Sequence, residues 1–357
     1  MTSQRWRQLR LRMPIFLLIS KENSGVTQLS KRAMLRLNPH PMEQLMPRHQ
    51  KIFDSVPEGM MIGQASAIAH HGELLQGVFR IGGGGLRRGL ITLPYSDLKS
   101  RATFWPSHSS RITVRPSALK KAARAAVLTL DHLGLEGVGG ELTIESTIPV
   151  GHGYGSSTAD VVAAIKATAR SASRCLTRAT VCKLAVEAEG ASDAIAYGSQ
   201  PVLFAHREGT IVEFMPGDFP RIIVVGGQSR SGPINTDDLP PARYSNREIE
   251  EFSILRALAV AAIRHNDARK LCHVAQMSAE MSQRHLPKPD YEKIRAIAER
   301  FDADGIQVAH SGSLIGILFD ASRTDVRVKS ASVAAALTGL GLEGTQCFHV
   351  NAGGPVV

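Results

Sequence analysis

Three glycines at alternating positions precede a run of small and hydroxyl side chains near the middle of the chain. The segment reads Pro149-Val150-Gly151-His152-Gly153-Tyr154-Gly155-Ser156-Ser157-Thr158-Ala159-Asp160. Glycines let the backbone approach a bulky anion and adopt positive φ, and a following helix presents free N–H groups and its dipole to phosphate. The spacing fits neither a Walker A loop nor a dinucleotide-binding fingerprint. The segment predicts a phosphate-binding loop, with an ordinary glycine turn before a capped helix as the alternative.

Two hydroxyl side chains, Ser156 and Ser157, stand where the predicted helix begins. Either can cap the helix by accepting from its first N–H groups. Either can instead offer its hydroxyl to a phosphate or to Mg²⁺, which prefers oxygen ligands. The sequence leaves both uses open.

An acidic cluster follows one helix later, in Glu187-Ala188-Glu189-Gly190-Ala191-Ser192-Asp193. Carboxylates at a helix C-terminus are electrostatically unfavourable, so their presence there is informative. One of them could hold Mg²⁺, and Asp193 could take a proton from a substrate hydroxyl. A solvated helix end is the alternative.

Two weaker patterns flank these motifs. The small-residue turn Ala309-His310-Ser311-Gly312-Ser313 lies between two apolar stretches and could pack against a nucleotide or close the phosphate loop, or could be a plain hairpin. The segment His71-Gly72-Glu73-Leu74-Leu75-Gln76-Gly77 places Glu73 and Gln76 between glycines in an apolar context. This predicts a substrate contact, with a structural turn as the alternative.

The elements that must position these residues mix strands and helices without regular βαβ alternation, which indicates an α+β architecture in two lobes. Hydrophobic periodicity and breakers predict a turn at 72–77, strands at 61–69, 90–94, 101–105, 140–148, 201–205, 210–214, 221–225, 307–309, 314–319 and 346–350, and helices at 117–133, 157–173, 178–189, 246–265, 268–284, 290–300 and 328–340. The predicted organisation is a basic, poorly ordered extension over 1–55, an N-terminal domain over 60–225 with the phosphate loop, and a C-terminal domain over 245–357.

Charge is unevenly distributed along the 357 residues, whose formal net charge is +10. Residues 1–50 hold nine basic and two acidic residues, a net of +7, whereas the remainder holds 33 basic and 30 acidic residues, a net of +3. A nearly balanced body argues against a nucleic-acid-binding protein. The four cysteines form no metal-ligand spacing, which favours a reduced, cytoplasmic protein. No apolar run reaches the roughly 20 residues that a membrane span needs.

Taken in order, the four motifs resemble the GHMP kinase superfamily, whose central motif this chain meets at Pro149, Gly153, Gly155, Ser156 and Ser157. Within it the chain is most similar to the L-threonine kinases of the cobalamin-biosynthesis type. That narrower match is carried by 72–77, 156–160, 307–312 and Leu286-Pro287-Lys288-Pro289. The resemblance spans about 62–320.

The resemblance implies a two-lobed GHMP kinase fold, with an N-terminal domain like domain 2 of ribosomal protein S5 and a ferredoxin-like C-terminal domain. It implies that ATP and Mg²⁺ are required. Ser157 and Glu189, with Glu187 as the alternative, would hold Mg²⁺, and Asp193 would receive the hydroxyl proton. The nucleotide would be bound by Pro149, Gly151, His152, Gly153, Tyr154, Gly155, Ser156, Ser157, Thr158, Ser311, Gly312 and Ser313.

The expected activity is phosphorylation of the hydroxyl of a small amino acid, L-threonine giving O-phospho-L-threonine. Homoserine or another small alcohol is the nearest alternative substrate, and a non-catalytic nucleotide-binding protein of the same fold is the second class. Tyr154 replaces the usual leucine of the motif, and His152 stands where this branch tends to have lysine. The expected partners are ATP and the small substrate, without nucleic acid or membrane, and a homodimer is left open.

Overall fold

A computed structural model describes residues 56–229 and 243–351. These residues contain strands β1 Gly63–Arg80, β2 Leu86–Ser107, β3 Ile112–Arg115, β4 Gly139–Ser146, β5 Val202–Ala205, β6 Thr210–Phe214, β7 Ile222–Gln228, β8 Gly305–Val308, β9 Leu314–Asp320 and β10 Glu343–Val350. They also contain helices α1 Lys120–His132, α2 Ser156–Ser171, α3 Arg178–Glu189, α4 Asn246–Arg264, α5 Ala268–Ser282, α6 Tyr291–Arg300 and α7 Val326–Leu340, and a 3₁₀ turn at Ala194–Tyr197. The extension predicted over 1–55 lies outside the described residues.

All ten strands belong to one sheet, in the order β10-β7-β9-β8-β1-β2-β4-β3, with β5 and β6 branching from β2. The N-terminal half is built on the long antiparallel pair β1 and β2, and the C-terminal half on β7, β8, β9 and β10. The halves meet between β1 and β8, where the paired residues are Glu73 and Val308. A predicted substrate residue thus lies at the junction of the two halves.

The turn predicted at 72–77 is wrong, because these residues continue β1. Register shifts on both sides of Glu73 mark an irregular stretch of strand. Gly72 adopts φ +66°, and a Cβ there would lie 2.1 Å from Gln307 Oε1 and 2.9 Å from the Ala309 N atom. The glycine is needed for the close approach of β8, not for a reversal of the chain.

The helices that carry the site residues begin and end at definite signals. In α2, most side chains from Thr158 to Ala169 are buried, so the helix is enclosed by the sheet and by α1 and α3. The side chain of Thr177 caps α3 by accepting from the Thr180 N–H, and Gly190 ends that helix in the left-handed region. Gly190 therefore fixes the end of α3 directly after Glu189.

Several predicted boundaries differ from the structure. The strands predicted at 90–94 and 101–105 are one strand, β2, with an irregularity where Ala69 pairs with Tyr95 and Ile68 with Lys99. The short strand β3, parallel to β4, was not predicted. Strand β7 pairs with β9 and β10, in the C-terminal half of the sheet. The domain boundary between 225 and 245 stays a prediction. None of the helices in the described part of the chain is both long and apolar enough to cross a membrane.

Candidate active site

The phosphate-loop motif runs directly into the N-terminus of α2. Gly155 is the N-cap residue, with φ +70°, and no side chain caps the helix. Ser156 and Ser157 both lie in the first helical turn, so capping of α2, one of the two uses that the sequence leaves open for them, is not observed. Uncapped N–H groups at a helix N-terminus offer donors and a positive dipole to an anion.

The loop is packed against the turn that was predicted to close it. The Ser313 N–H donates to the carbonyl oxygen of His152 at 3.2 Å. A Cβ on Gly153 would lie 2.5 Å from the Ser311 carbonyl oxygen, and one on Gly312 would lie 2.5 Å from the His152 carbonyl oxygen. Both glycines have positive φ. The glycines therefore allow two backbone segments, far apart in sequence, to touch.

The residues of the loop face different surroundings. Gly151 is exposed with open space around it, and Pro149 is half-buried. Tyr154 is 1% exposed, and its ring packs edge-on against His71. Tyr154 can therefore contact a nucleotide only through its backbone, so its predicted part in nucleotide binding is limited to its backbone N–H and C=O groups. Asp160 is also buried, and it accepts a hydrogen bond from the Ser100 hydroxyl at 2.5 Å.

A carboxylate meets two hydroxyls at the start of α2. Ser157 Oγ donates to Glu189 Oε2 at 2.9 Å, and Thr158 Oγ1 donates to Glu189 Oε1 at 2.8 Å. Burial raises the pKa of Glu189 to about 7, against the hydrogen bonds that lower it. Glu187 is exposed and has no hydrogen-bond or ion-pair partner among the described residues. Of the two glutamates, Glu189 is the one that the fold brings to Ser157.

These oxygens fit a magnesium ion. Adjacent ligands of an octahedral Mg²⁺ with bonds of about 2.1 Å lie about 3 Å apart, close to the 2.9 Å between Ser157 Oγ and Glu189 Oε2. Ser157 is exposed, so the pair is accessible from solvent. A divalent cation there would favour the ionised form of Glu189, which burial disfavours.

Asp193 lies just past α3 and is paired with a histidine from β1. His70 Nε2 and Asp193 Oδ2 are 2.9 Å apart. Burial disfavours the His70 charge, but Asp193 outweighs it and the pKa of His70 is raised to about 9. Burial pushes the pKa of Asp193 upward, but His70 holds it below its usual range. The pair is therefore an imidazolium and a carboxylate at neutral pH.

Glu73 completes this cluster. Ligand atoms of His70, Glu73 and Asp193 lie within 4.8 Å of one another. Glu73 is 3% exposed, and its Oε2 has no hydrogen-bond partner. Burial raises its pKa to about 8, opposed by the charges of His70 and Lys288. A buried carboxyl with an unpaired oxygen beside an ion pair has the character of a ligand-binding group.

Further polar side chains surround Glu73. Gln76 Oε1 lies 2.9 Å from His310 Nδ1, and the His310 ring lies 5.2 Å from that of His206. The Lys288 Nζ donates to the Gly312 carbonyl oxygen at 2.7 Å and is 5% exposed. Burial lowers the pKa of Lys288 to about 8, and Glu73 opposes that shift. The structure therefore brings Glu73, Gln76 and Asp193 into one buried polar cluster with charges of both signs.

A cleft of about 370 Å³ lies next to the loop. Its lining residues, from the start of α1, the loop and the start of α2, are Ala118, Leu119, Lys120, Lys121, Ala122, Val150, Ser156, Ser157 and Asp160. This volume is in the range of small-molecule pockets. The sequence analysis does not predict that α1 lines this cleft. The adjacent Lys120 and Lys121 at the start of that helix could have indicated an anion-binding surface.

His70, His206 and Lys288 were also missed as members of the polar cluster. His70 lies 123 residues from Asp193 along the chain, and Lys288 lies 215 residues from Glu73, so only the folded chain brings these partners together. Lys288 lies in one of the segments that carried the family resemblance, so a role for it could have been asked. His70 had no comparable signal.

Comparison with known proteins agrees with this architecture. Residues 119–200 match the family described as "GHMP kinases N terminal domain". A homoserine kinase from Cytophaga hutchinsonii has a similar fold, with a TM-score of 0.59 and 16% identity over 81% of this chain and 94% of that one. A mevalonate kinase from Methanococcus jannaschii has a TM-score of 0.55 and 16% identity over 82% of this chain and 98% of that one. Residues 119–200 thus match the N-terminal domain of GHMP kinases, and the predicted α+β, two-lobed fold is confirmed.

The chain is also similar to two curated L-threonine kinases. The one from Citrobacter freundii is 31% identical over 188 residues, 52% of this chain and 64% of the relative. The one from Salmonella typhimurium is 30% identical over 201 residues, 55% of this chain and 65% of the relative. The chain thus spans slightly less than two thirds of the length of either relative.

Proposed function

We propose that this protein is an ATP- and Mg²⁺-dependent kinase that phosphorylates the hydroxyl of a small amino acid, with L-threonine as the preferred substrate. One observation carries the proposal. The uncapped N-terminus of α2 adjoins the Ser157–Glu189 pair, and its N-cap residue Gly155 lies against His70, the partner of Asp193, because a Cβ on Gly155 would be 2.3 Å from the His70 ring. The similarity to two L-threonine kinases supports the choice of substrate.

The roles follow from the chemistry of each group. The N–H groups of α2 and the glycine loop would bind the triphosphate, and Ser157 with Glu189 would hold Mg²⁺, which neutralises charge on the phosphates. The substrate hydroxyl oxygen would form a bond to the γ-phosphorus as the bond from that phosphorus to the β-phosphate oxygen breaks, leaving ADP. Phosphoryl transfer needs mainly in-line placement and charge neutralisation, so little activation of the hydroxyl is required.

Asp193 would accept the hydroxyl proton. Because His70 keeps it ionised, its oxygen can accept a hydrogen bond from the hydroxyl at neutral pH. Its lowered pKa also makes it a weak base, so the proton would move late, when the hydroxyl has become acidic through bonding to phosphorus.

The buried cluster of Glu73 and Lys288 is suited to an amino-acid substrate. An amino acid presents an ammonium and a carboxylate, and the cluster offers a carboxyl and an ammonium side chain in one enclosed place. The substrate ammonium would favour the ionised form of Glu73, which burial disfavours. A pocket that pairs both charges would reject alcohols lacking them, because the partner groups would be left unpaired. Glu73 and Gln76 keep their predicted roles as substrate contacts.

The test is ADP release by the purified protein with ATP, Mg²⁺ and a panel of L-threonine, L-serine, L-homoserine and mevalonate. We expect the highest kcat/KM with L-threonine. A higher value with homoserine would assign the alternative substrate, which the fold of the Cytophaga hutchinsonii enzyme makes worth including. ATP binding without turnover on any alcohol would contradict a kinase and favour the non-catalytic class.

A further inference from the structure

A second cleft, of about 400 Å³, lies away from the phosphate loop, on the other part of α2. Its walls are the middle of α2, the segment leading into α3, the 3₁₀ turn and β1 at Ser66, Ala67 and Ile68. It shares no lining residue with the cleft beside Lys120. No step of the proposed reaction uses it.

Four cations line this cleft, which we call the basic cleft: Lys166, Arg170, Arg174 and Arg178. Aspartate and glutamate are absent from its lining. Among the described residues, none of the four forms a salt bridge with a carboxylate. Arg170 donates to the Gln64 carbonyl oxygen at 2.7 Å, and Arg178 donates to Gln200 Oε1 at 2.5 Å. Those neutral partners orient the two guanidinium groups without neutralising them.

Lys166 is the least exposed of the four. It is half-buried on α2 and has no hydrogen-bond or ion-pair partner in the part of the chain that the structure describes. Burial, followed by the charges of Arg170 and Arg178, lowers the pKa of its ammonium. Placing an unpaired cation among like charges is unfavourable unless an anion offsets it.

We propose that the basic cleft binds a small phosphate-bearing anion at a site separate from the nucleotide. Guanidinium groups match phosphate oxygens with two parallel donors, and an ammonium adds a compact charge. Ile68, Leu176 and Ile195 are apolar residues of its lining. The Cζ atom of Arg178 lies 5.7 Å from the centroid of the Tyr197 ring. The ligand therefore has an anionic end and a small apolar body.

The walls of this cleft belong to elements that also carry the candidate active site. Lys166 lies on the helix that begins at the phosphate loop, and Arg178 lies at the start of the helix that ends at Glu189. The 3₁₀ turn begins directly after Asp193. An anion bound here would contact three elements whose ends are the loop, the metal ligand and the proton acceptor.

Cys175 gives a local readout, because it is exposed and lines the basic cleft. The experiment follows its alkylation by iodoacetamide in the full chain, by peptide mass spectrometry, while inorganic pyrophosphate is added. We expect saturable protection of Cys175 that persists when ADP is present in excess. Cys347, half-buried in β10, serves as the internal control and should show no saturable protection.

Two variants test the cations. Arg174→Gln, at an exposed position without a described partner, and Lys166→Met should each raise the pyrophosphate concentration for half-protection by about tenfold, the equivalent of one charge-assisted hydrogen bond. Arg264→Gln, an exposed arginine at the end of α4, is the matched control and should leave it unchanged. Protection that is absent, that ADP abolishes, or that shifts equally in Arg264→Gln would overturn the proposal. If Lys166→Met does not fold, Arg174→Gln alone decides between these outcomes.

Discussion

At the scale of single residues, the candidate site combines groups that motif reading can find with groups that it cannot. Ser157, Glu189 and Asp193 lie in short segments whose residue types already indicate phosphate, metal and proton transfer. His70 carries no such signal, and the Leu286–Pro289 motif does not indicate what Lys288 contacts. The roles of these two residues come from their partners, Asp193 at 2.9 Å and the Gly312 carbonyl oxygen at 2.7 Å. A side chain whose function depends on a distant partner is visible only once the chain has folded.

Replacing Asp193 by asparagine tests its role as proton acceptor. Asn keeps the size but cannot take the proton, so we expect kcat to fall by about 100-fold or more, with little change in ATP affinity. Steady-state ADP release and nucleotide titration would measure the two effects separately. Wild-type turnover in Asp193→Asn would remove this residue from proton transfer and leave positioning as the source of catalysis.

The His70–Asp193 pair should make stability depend on pH. The pKa of His70 is raised from 6.5 to about 9, so its stabilising contribution is complete below pH 6.5 and is lost as pH rises through 9. Urea unfolding of the wild type and of His70→Gln between pH 6 and pH 9.5 would measure this contribution. We expect the wild type to have a free energy of unfolding larger by on the order of 2 kcal/mol at pH 6, and this difference to disappear near pH 9.5. Parallel curves for the two proteins would show that the pair contributes nothing to stability.

Glu189 and Glu187 offer a matched pair for the metal. Glu189→Gln should raise the Mg²⁺ concentration for half-maximal activity by about tenfold or more. Glu187→Gln should not change that concentration, because Glu187 is exposed and forms no hydrogen bond with Ser157. Since the pKa of Glu189 is about 7, protonation should also raise the Mg²⁺ requirement of the wild type as pH falls below 7. The reverse ranking of the two variants would assign the metal to Glu187.

At the scale of elements, the helices were predicted more closely than the irregular strands. Helix α3 was placed at 178–189, as observed, because Thr177 and Gly190 are strong start and stop signals. Residues 72–77 were predicted as a turn and not as part of β1, because a glycine such as Gly72 is also common in turns. A glycine in the sequence indicates restricted space or a positive φ. It does not indicate whether the close neighbour is the next residue, as in a turn, or a distant strand such as β8, whose Gln307 lies 235 positions after Gly72.

The packing of the phosphate loop can be tested with two glycines that differ in surroundings. Gly151 and Gly153 both have positive φ, but a Cβ meets nothing within 4 Å at Gly151 and meets the Ser311 carbonyl oxygen at 2.5 Å at Gly153. Both alanine variants carry the cost of backbone strain, about 1 kcal/mol, and only Gly153→Ala must also displace the 311–313 turn. We expect Gly153→Ala to lower Tm and raise the KM for ATP clearly more than Gly151→Ala does. Equal effects would mean that the turn does not support the loop.

At the scale of the whole molecule, the charge of the chain and its proposed activity belong to different regions. Residues 1–50 carry +7 of the net +10. Deleting residues 1–55 should leave kcat within about twofold of the full chain, and should abolish any salt-sensitive binding to DNA that the full chain shows. Activity assays and DNA titrations at two salt concentrations would measure both. Loss of turnover on deletion would show that the N-terminal residues take part in the site.

The pairing of Glu73 with Val308 gives the site an unusual dependence on the sheet. The two halves of the sheet are joined at one pair of residues, and the side chain of that same Glu73 lies within 4.8 Å of the groups on the N-terminal side. Glu73 and Asp193 both belong to the N-terminal half, so a small rotation of one half against the other would keep them together and would shift Lys288 and His310, from the C-terminal half, relative to both. A substrate that contacts Glu73 and Lys288 at the same time would therefore resist this rotation, and the rotation would change the shape of the proposed substrate site.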